Sequence, residues 1–278
     1  VCYIALLCIL VLGFTLGMQV FRSSYFNMPY EMNDANRDYM VARHIIHYGE
    51  RPLTGPYYGL AGSTVGSPIY YYFLASLLAI QDNIVFLGYV SMFLRIVVLV
   101  LIYCLAATMF NRVTGLTAVF LYAISQATIQ QSNFFWQPYL MEPFILLSYL
   151  LLVWSHLKKN YGLLLASIMV FVFSTTIYLS VFAILPIYLS AIVFVLRQQR
   201  RTWRYFMGAL GTLAGTLFLS YSPPLFYIFQ NKTWSGGSLS SLNTSFFHQS
   251  LYAVIGNFFV RTNILLNFFF VQLPEKVW

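Results

Sequence analysis

Glu31, Asp34, Asp38 and Glu50, four of the chain's seven acidic residues, fall within residues 31–51, and Arg37, Arg43, Arg51, His44 and His47 lie among them. Carboxylates interleaved with guanidinium and imidazole groups can move protons and hold anions. In a chain this apolar, ionisable groups are expensive, so gathering them in one segment marks chemistry or ligand binding there. Asp34, Arg37 and Asp38 share a helix face, because residues three and four apart are neighbours. Asp34 is the foremost functional candidate, with Asp38 and Glu31 behind it. The plainer reading is that Asp34 complements the helix dipole and Arg37 pairs with Asp38. His44 and His47 stand at i and i+3, a spacing open to a metal. No further ligand is adjacent in sequence, so a structural or interfacial role is expected.

The element that must carry these groups is a short amphipathic helix over residues 34–48. Asn33 is the expected N-cap, and Asp34 then lies in the first turn. Val41, Ile45 and Tyr48 recur at i, i+4 and i+7 and supply its apolar face. Gly49 and Pro52 stop it. Such a helix lies along a membrane surface with its acidic end near the bundle.

The rest of the chain is bilayer-like. It has 278 residues, 60% hydrophobic and 8% charged, with mean hydropathy +0.73. A soluble domain carries roughly a quarter charged residues, so an all-α polytopic membrane bundle of seven to eight spans is expected. Apolar runs of spanning length occur near 1–20, 84–110, 114–131, 140–157, 161–177, 179–196 and 204–222. A weaker eighth, 250–272, is interrupted by Asn257, Arg261 and Asn263. The run Ile69–Ile80 is too short to cross and reads as re-entrant or interfacial, with Tyr70, Tyr71 and Tyr72 at the headgroup level. Val1–Val20 reads as a span rather than a leader, since no basic n-region precedes it. Cys2, Cys8 and Cys104 sit in apolar runs as filler. No basic cluster has interleaved aromatics, so nucleic acid is not an expected partner.

The loop charges give an orientation. One set of loops holds Arg112, then Lys158 and Lys159, then Arg197, Arg200, Arg201 and Arg204, with no acid. The alternate set holds Glu31, Asp34, Asp38, Glu50 and Asp82. The positive-inside rule places the acidic set, and hence the first loop over residues 21–83, outside the cytoplasm. A Ser-, Gly- and Asn-rich stretch, 230–249, lies on that side and is a loop able to close over a site. Ser222-Pro-Pro-Leu225 is expected to end the seventh span, with Tyr221 and Tyr227 within reach of a lipid tail or sugar. Arg95 lies about eleven residues into its span and must face the bundle interior; a structural pairing with Glu142 competes there with a functional role. Trp136, Pro138 and Glu142 sit at the outer end of the fourth span. They are read either as lining a cavity or as an aromatic-belt Trp with a Pro-started helix.

The order Asn33-Asp-Ala-Asn-Arg-Asp-Tyr-Met-Val-Ala-Arg-His-Ile45, Gly49-Glu-Arg-Pro-Leu-Thr-Gly-Pro56 and Gly66-Ser-Pro-Ile-Tyr-Tyr-Tyr72 resembles the GT-C superfamily of membrane glycosyltransferases. The resemblance is nearest to the protein O-mannosyltransferase and aminoarabinose transferase branch. Asp34 and Arg37 match its Asp-x-x-Arg motif, Ser67–Tyr72 its Pro-containing aromatic stretch, Arg95 an Arg early in the next span, and Asn133–Pro138 a Trp-Asn-Pro variant. Departures are Ala35 after the motif Asp, Gln137 within Trp-Gln-Pro, and Ser174–Tyr178 without a charged residue. Because the family is longer, residues 1–278 are expected to be a single GT-C-type transmembrane domain whose C-terminal part is missing.

The resemblance implies transfer of a sugar from a polyprenyl-phosphate donor to a lipid, glycan or protein hydroxyl at the non-cytoplasmic face, with inversion. Such a reaction needs a base, for which Asp34 is the candidate. It also needs cations for the leaving phosphate, for which Arg37, Arg43 and Arg95 are the candidates. Asp38, Tyr70, Trp136 and Glu142 are expected around the substrate cavity. No cofactor follows from the residues, and a divalent metal is left open. Two other readings compete: a transporter or flippase of lipid-linked sugars, and a non-catalytic membrane homologue. A transporter usually places ionisable groups near the bilayer midplane in paired halves, whereas here they concentrate in a loop.

Overall fold

A computed structural model describes residues 2–25, 33–58, 64–131, 135–198 and 203–231. By its internal contacts the chain divides into Val1–Tyr227 and Ile228–Trp278; of the second unit only residues 228–231 are described. The first unit is helical: α1 (Cys2–Tyr25), α2 (Asn33–Tyr48), α3 (Ile69–Leu78), α4 (Ile84–Met109), α5 (Arg112–Ile124), α6 (Gln126–Gln131), α7 (Gln137–Leu140), α8 (Glu142–Leu157), α9 (Tyr161–Ile177), a 3₁₀ turn (Leu179–Ile184), α10 (Leu185–Gln198) and α11 (from Trp203, running on to Asn231). Among the described residues the strand pairing is a two-residue antiparallel hairpin, β1 (Tyr57–Tyr58) with β2 (Thr64–Val65). Residues 232–278, with the expected loop and eighth span, lie outside the described residues, as do Glu31 and Asn133.

Asparagine starts three of the long helices. The Asn83, Asn111 and Asn160 side chains accept from the backbone N–H of Val85, Thr114 and Gly162 at 2.9, 2.9 and 2.8 Å. Each satisfies an N–H that the first helical turn leaves open. Among the described residues four helical segments are long and apolar enough to cross a membrane: Cys2–Gln19, Ile84–Met109, Gln137–Leu157 and Leu179–Arg197. Arg112–Ile124 and Tyr161–Ile177 are apolar but shorter. The expected span 114–131 is divided at Ser125, which is extended. Thr128 Oγ1 donates to the Tyr122 carbonyl at 2.6 Å, and Arg95 Nη2 to the Ala123 carbonyl at 3.1 Å. Side chains thus take the carbonyls that the break leaves open.

The expected stop at Ser222-Pro-Pro-Leu225 is corrected: α11 runs through Pro223 and Pro224. A proline at position i cannot donate to the carbonyl at i−4, so these two free the Leu219 and Ser220 carbonyls. Ser222 Oγ donates to the Leu219 carbonyl at 3.4 Å, and Ser67 Oγ to the Ser220 carbonyl at 2.6 Å. Hydroxyls in reach are why the helix tolerates both prolines. Tyr221 Oη donates to the Thr175 carbonyl at 2.8 Å, at the end of α9. Ser67 is held by a close backbone approach at Gly55. The Gly55 N–H bonds the Gly66 carbonyl at 2.8 Å, and a Cβ on Gly55 would stand 2.1 Å from the Ser67 carbonyl oxygen.

Packing gathers in three cores, one of them Leu99, Val119 and Ala123 between α1, α4 and α5. Leu152, Leu164, Ile168, Phe171, Tyr188 and Ile192 form another between α8, α9 and α10, with Phe171 and Tyr188 stacked at 4.0 Å. A third core gathers Ala42 of α2 and Tyr70, Tyr71, Leu74 and Leu78 of α3. They pack against Leu87 near the start of α4, Leu140 of α7 and Ile177 at the end of α9. The α2–α3 unit therefore sits on the bundle end where α4 and α8 begin and α9 finishes. The opposite end carries Arg112, Lys158, Lys159, Arg197 and Arg204, and no acid among the described residues.

Two expectations about this unit are corrected. Tyr70 and Tyr71 are buried rather than at a headgroup level; Tyr72 is the exposed one, and its hydroxyl donates to the Pro52 carbonyl at 3.1 Å. Tyr48 is 75% exposed, and the most buried positions on α2 are Asp38 and Ala42. The tyrosine is in the last turn, beyond the reach of α3, whereas Ala42 is small enough to let the two helices approach. At ten residues, α3 is about 15 Å long, half a hydrocarbon core, so it cannot cross, as expected.

Candidate functional site

The helix α2 begins at Asn33, one residue earlier than expected, and ends where Gly49 adopts φ +67°, a left-handed conformation open to glycine. The candidate residues distribute into three clusters, two of them on α2.

The first is built on Asp38. Asp38 is 1% exposed, and both its oxygens are engaged. Oδ1 accepts from Arg37 Nε at 2.9 Å and Nη2 at 2.8 Å. Oδ2 accepts from Gln137 Nε2 at 2.6 Å. Arg37 Nη1 donates to Asp34 Oδ1 at 2.9 Å, so one guanidinium bridges two carboxylates a turn apart. Asp34 is 58% exposed, and Arg37 36%. Burial pushes the Asp38 carboxyl above the ordinary aspartate value, and the charge and hydrogen bonds of Arg37, with the Gln137 amide, oppose it. Tyr71 of α3 lies within the electrostatic reach of Asp38 and Arg37; burial first, and Asp38 second, raise its hydroxyl.

The second cluster fastens α2 to the loop before α4. Asp82 Oδ2 meets Arg43 Nε at 3.1 Å and His47 Nε2 at 2.7 Å, and Tyr39 Oη donates to Oδ1 at 3.4 Å. The His47 hydrogen bond is the leading cause that holds this carboxyl below the ordinary value, followed in the same direction by Arg43. His44 is 3.1 Å from Glu50 instead. The two histidines thus serve separate acids. Among the described residues no group of three His, Cys, Asp or Glu is placed to hold a metal.

The third lies inside the bundle. Arg95 donates to the Thr128 carbonyl at 2.7 Å and the Ala123 carbonyl at 3.1 Å. The Tyr122 hydroxyl donates to Glu142, and both lie within the electrostatic reach of Arg95. Arg95 and Glu142 thus lie in one cluster with Tyr122, in which Tyr122 bonds the carboxylate and Arg95 bonds carbonyls at the α5 break. Ser91, Arg95, Tyr122, Thr128, Tyr139 and Glu142 border a cavity of about 20 Å³, room for one water. Trp136 packs edge-on against Tyr139, with ring centroids 5.4 Å apart.

The structure brings Asp34, Arg37 and Asp38 together, puts Arg43 on another flank of α2, and sets Arg95 and Glu142 in a separate cavity. Tyr70 is core. Gln137 is the residue that the sequence left as a departure from a motif. An amide between Trp136 and Pro138, at the start of an expected helix, was the signal for it. Compared with family models, curated proteins and solved structures, the chain matches none.

Proposed function

We propose that the chain is an integral-membrane inverting glycosyltransferase of GT-C type that uses a polyprenyl-phosphate sugar at the non-cytoplasmic face. The observation that carries the reading is the arrangement at the start of α2. There an exposed carboxylate, Asp34, shares a half-exposed guanidinium, Arg37, with a buried carboxylate. Asp34 accepts the proton of the acceptor hydroxyl as its oxygen attacks the anomeric carbon. The bond from that carbon to the phosphate oxygen breaks, and the electron pair leaves with the polyprenyl phosphate. Arg37 meets the charge that grows on the phosphate. Asp38, being buried, positions Arg37 and does not touch the reacting atoms. The segregation of acids and cations to opposite bundle ends supports the sidedness.

The triad of buried Arg95 with part-buried Tyr122 and Glu142 favours a second reading, a transporter of lipid-linked sugars, since such groups inside a bundle often line a path. The full-length protein, reconstituted with a panel of labelled polyprenyl-phosphate sugars beside Asp34→Asn, separates the two. Transfer by the parent, reduced about 10²–10⁴-fold in the variant, is expected. Near-parental transfer by the variant removes Asp34 as the base. Lipid flipping without transfer selects the transporter.

A further inference from the structure

We propose that Gln137 is a positioning residue that sets Arg37, by way of Asp38, to receive the phosphate of the donor lipid; this rests on the glycosyltransferase reading above. The argument starts from how the carboxylate is shared. Gln137 takes one oxygen of Asp38, at 2.6 Å, and Arg37 takes the other through two of its nitrogens. Gln137 is 3% exposed and Asp38 is fully enclosed, so neither can meet a lipid headgroup. Arg37 can. A chain of bonds therefore runs from a buried amide, through a buried carboxylate, to a guanidinium at the surface. Three of the five N–H donors of Arg37 are spent on Asp38 and Asp34, and Tyr71 stands within reach of the same guanidinium, so a phosphate meets its exposed edge.

The amide is the right group for this place. A cation at 137 would compete with Arg37 for the carboxylate, and a carboxylate would repel it; an amide adds one bond and no charge. Gln137 also comes from outside the α2–α3 unit. It opens α7, whose Leu140 is in the core and whose Tyr139 borders the inner cavity. The bundle, not the surface helix, thus fixes where the Asp38 carboxylate stands. Arg37 and Asp34 of α2, Tyr71 of α3 and Gln137 of α7 are the charged and polar groups about it.

The test uses the full chain in detergent, with sugar-free polyprenyl phosphate as the binding probe and the active labelled donor for turnover. For Gln137→Leu, the expected results are about tenfold weaker probe binding and about tenfold higher KM, with a smaller change in kcat. For Gln137→Glu, binding is weak at pH 8 and returns towards the parent's as the pH falls, because the two facing carboxyls then share a proton. Gln137→Leu does not recover. If the leucine variant does not fold, the pH series of Gln137→Glu against the parent is the measurement. Parental probe binding by Gln137→Leu, a Gln137→Glu defect that does not change with pH, or a parent that binds no polyprenyl phosphate each overturns the proposal. A parent that binds the probe in a Gln137-dependent way yet turns over no donor keeps the positioning role and removes the enzyme. A parent that turns over donor with the same KM in Gln137→Leu does the reverse.

Discussion

One helical turn separates Asp34 from Asp38, and it divides their roles. Asp34 projects from the first turn of α2, where it is more than half exposed; Asp38 is enclosed among Arg37, Gln137 of α7 and Tyr71 of α3. Asp82 is a third kind of carboxylate, half in water and tied to three side chains of α2. Its folded pKa is depressed, so the folded state binds this proton less tightly than the unfolded chain. Its contribution is therefore present above the unfolded value, about 3.9, and is lost as the pH falls through the folded one. Asp82→Asn is expected to lower the thermal midpoint in detergent slightly at pH 7. The gap from the parent narrows towards zero on acidification below about pH 4, and high salt narrows it at any pH. A gap unchanged between pH 7 and pH 3 would mean that Asp82 acts through packing and not through its charge.

Element boundaries were legible where a capping residue set them. The apolar run 161–177 coincides with α9, whose start Asn160 caps, although at 17 residues the helix is shorter than the four of spanning length, and α2 stops before Gly49 as expected. The prolines of α11 misled for a physical reason. Whether a Pro-Pro ends a helix depends on whether something else satisfies the freed carbonyls, and the hydroxyl that does so for Ser220 is 153 residues away in sequence. The contact of Asp38 with Gln137 spans 99 residues and was hidden in the same way. The α11 account makes its own prediction. Ser67→Ala strands the Ser220 carbonyl and should cost about 1–3 kcal/mol. Pro224→Ala restores an N–H at i+4 from that carbonyl, so the same serine change made on that background should cost much less. Thermal unfolding of the four proteins in detergent measures the coupling. Equal costs on both backgrounds would show that Ser67 does not stand in for the missing helical bond.

At the scale of the whole molecule the charge distribution should decide how the bundle sits. The described acids lie at the α2–α3 end or at the start of α8, and Arg112, Lys158, Lys159, Arg197 and Arg204 collect at the other. Cations flanking short loops hold those loops in the cytoplasm, and acids contribute little. On that rule the Asp34 cluster is expected to face away from the cytoplasm, the side on which the proposed lipid-linked donor would be presented. Two exposed loop positions report on this, Gln81 before α4 and Phe110 after it. Each is changed to Cys in a chain whose Cys2, Cys8 and Cys104 have been replaced by Ala. A membrane-impermeant thiol reagent added to intact cells is expected to label Gln81→Cys directly and Phe110→Cys only after permeabilisation. The two positions bracket a single helix of 26 residues, about 39 Å, long enough to put them on opposite sides. The reverse order of labelling would place the Asp34 cluster in the cytoplasm and point to a soluble sugar donor in place of a lipid-linked one. Labelling of both without permeabilisation would show that α4 does not cross at all.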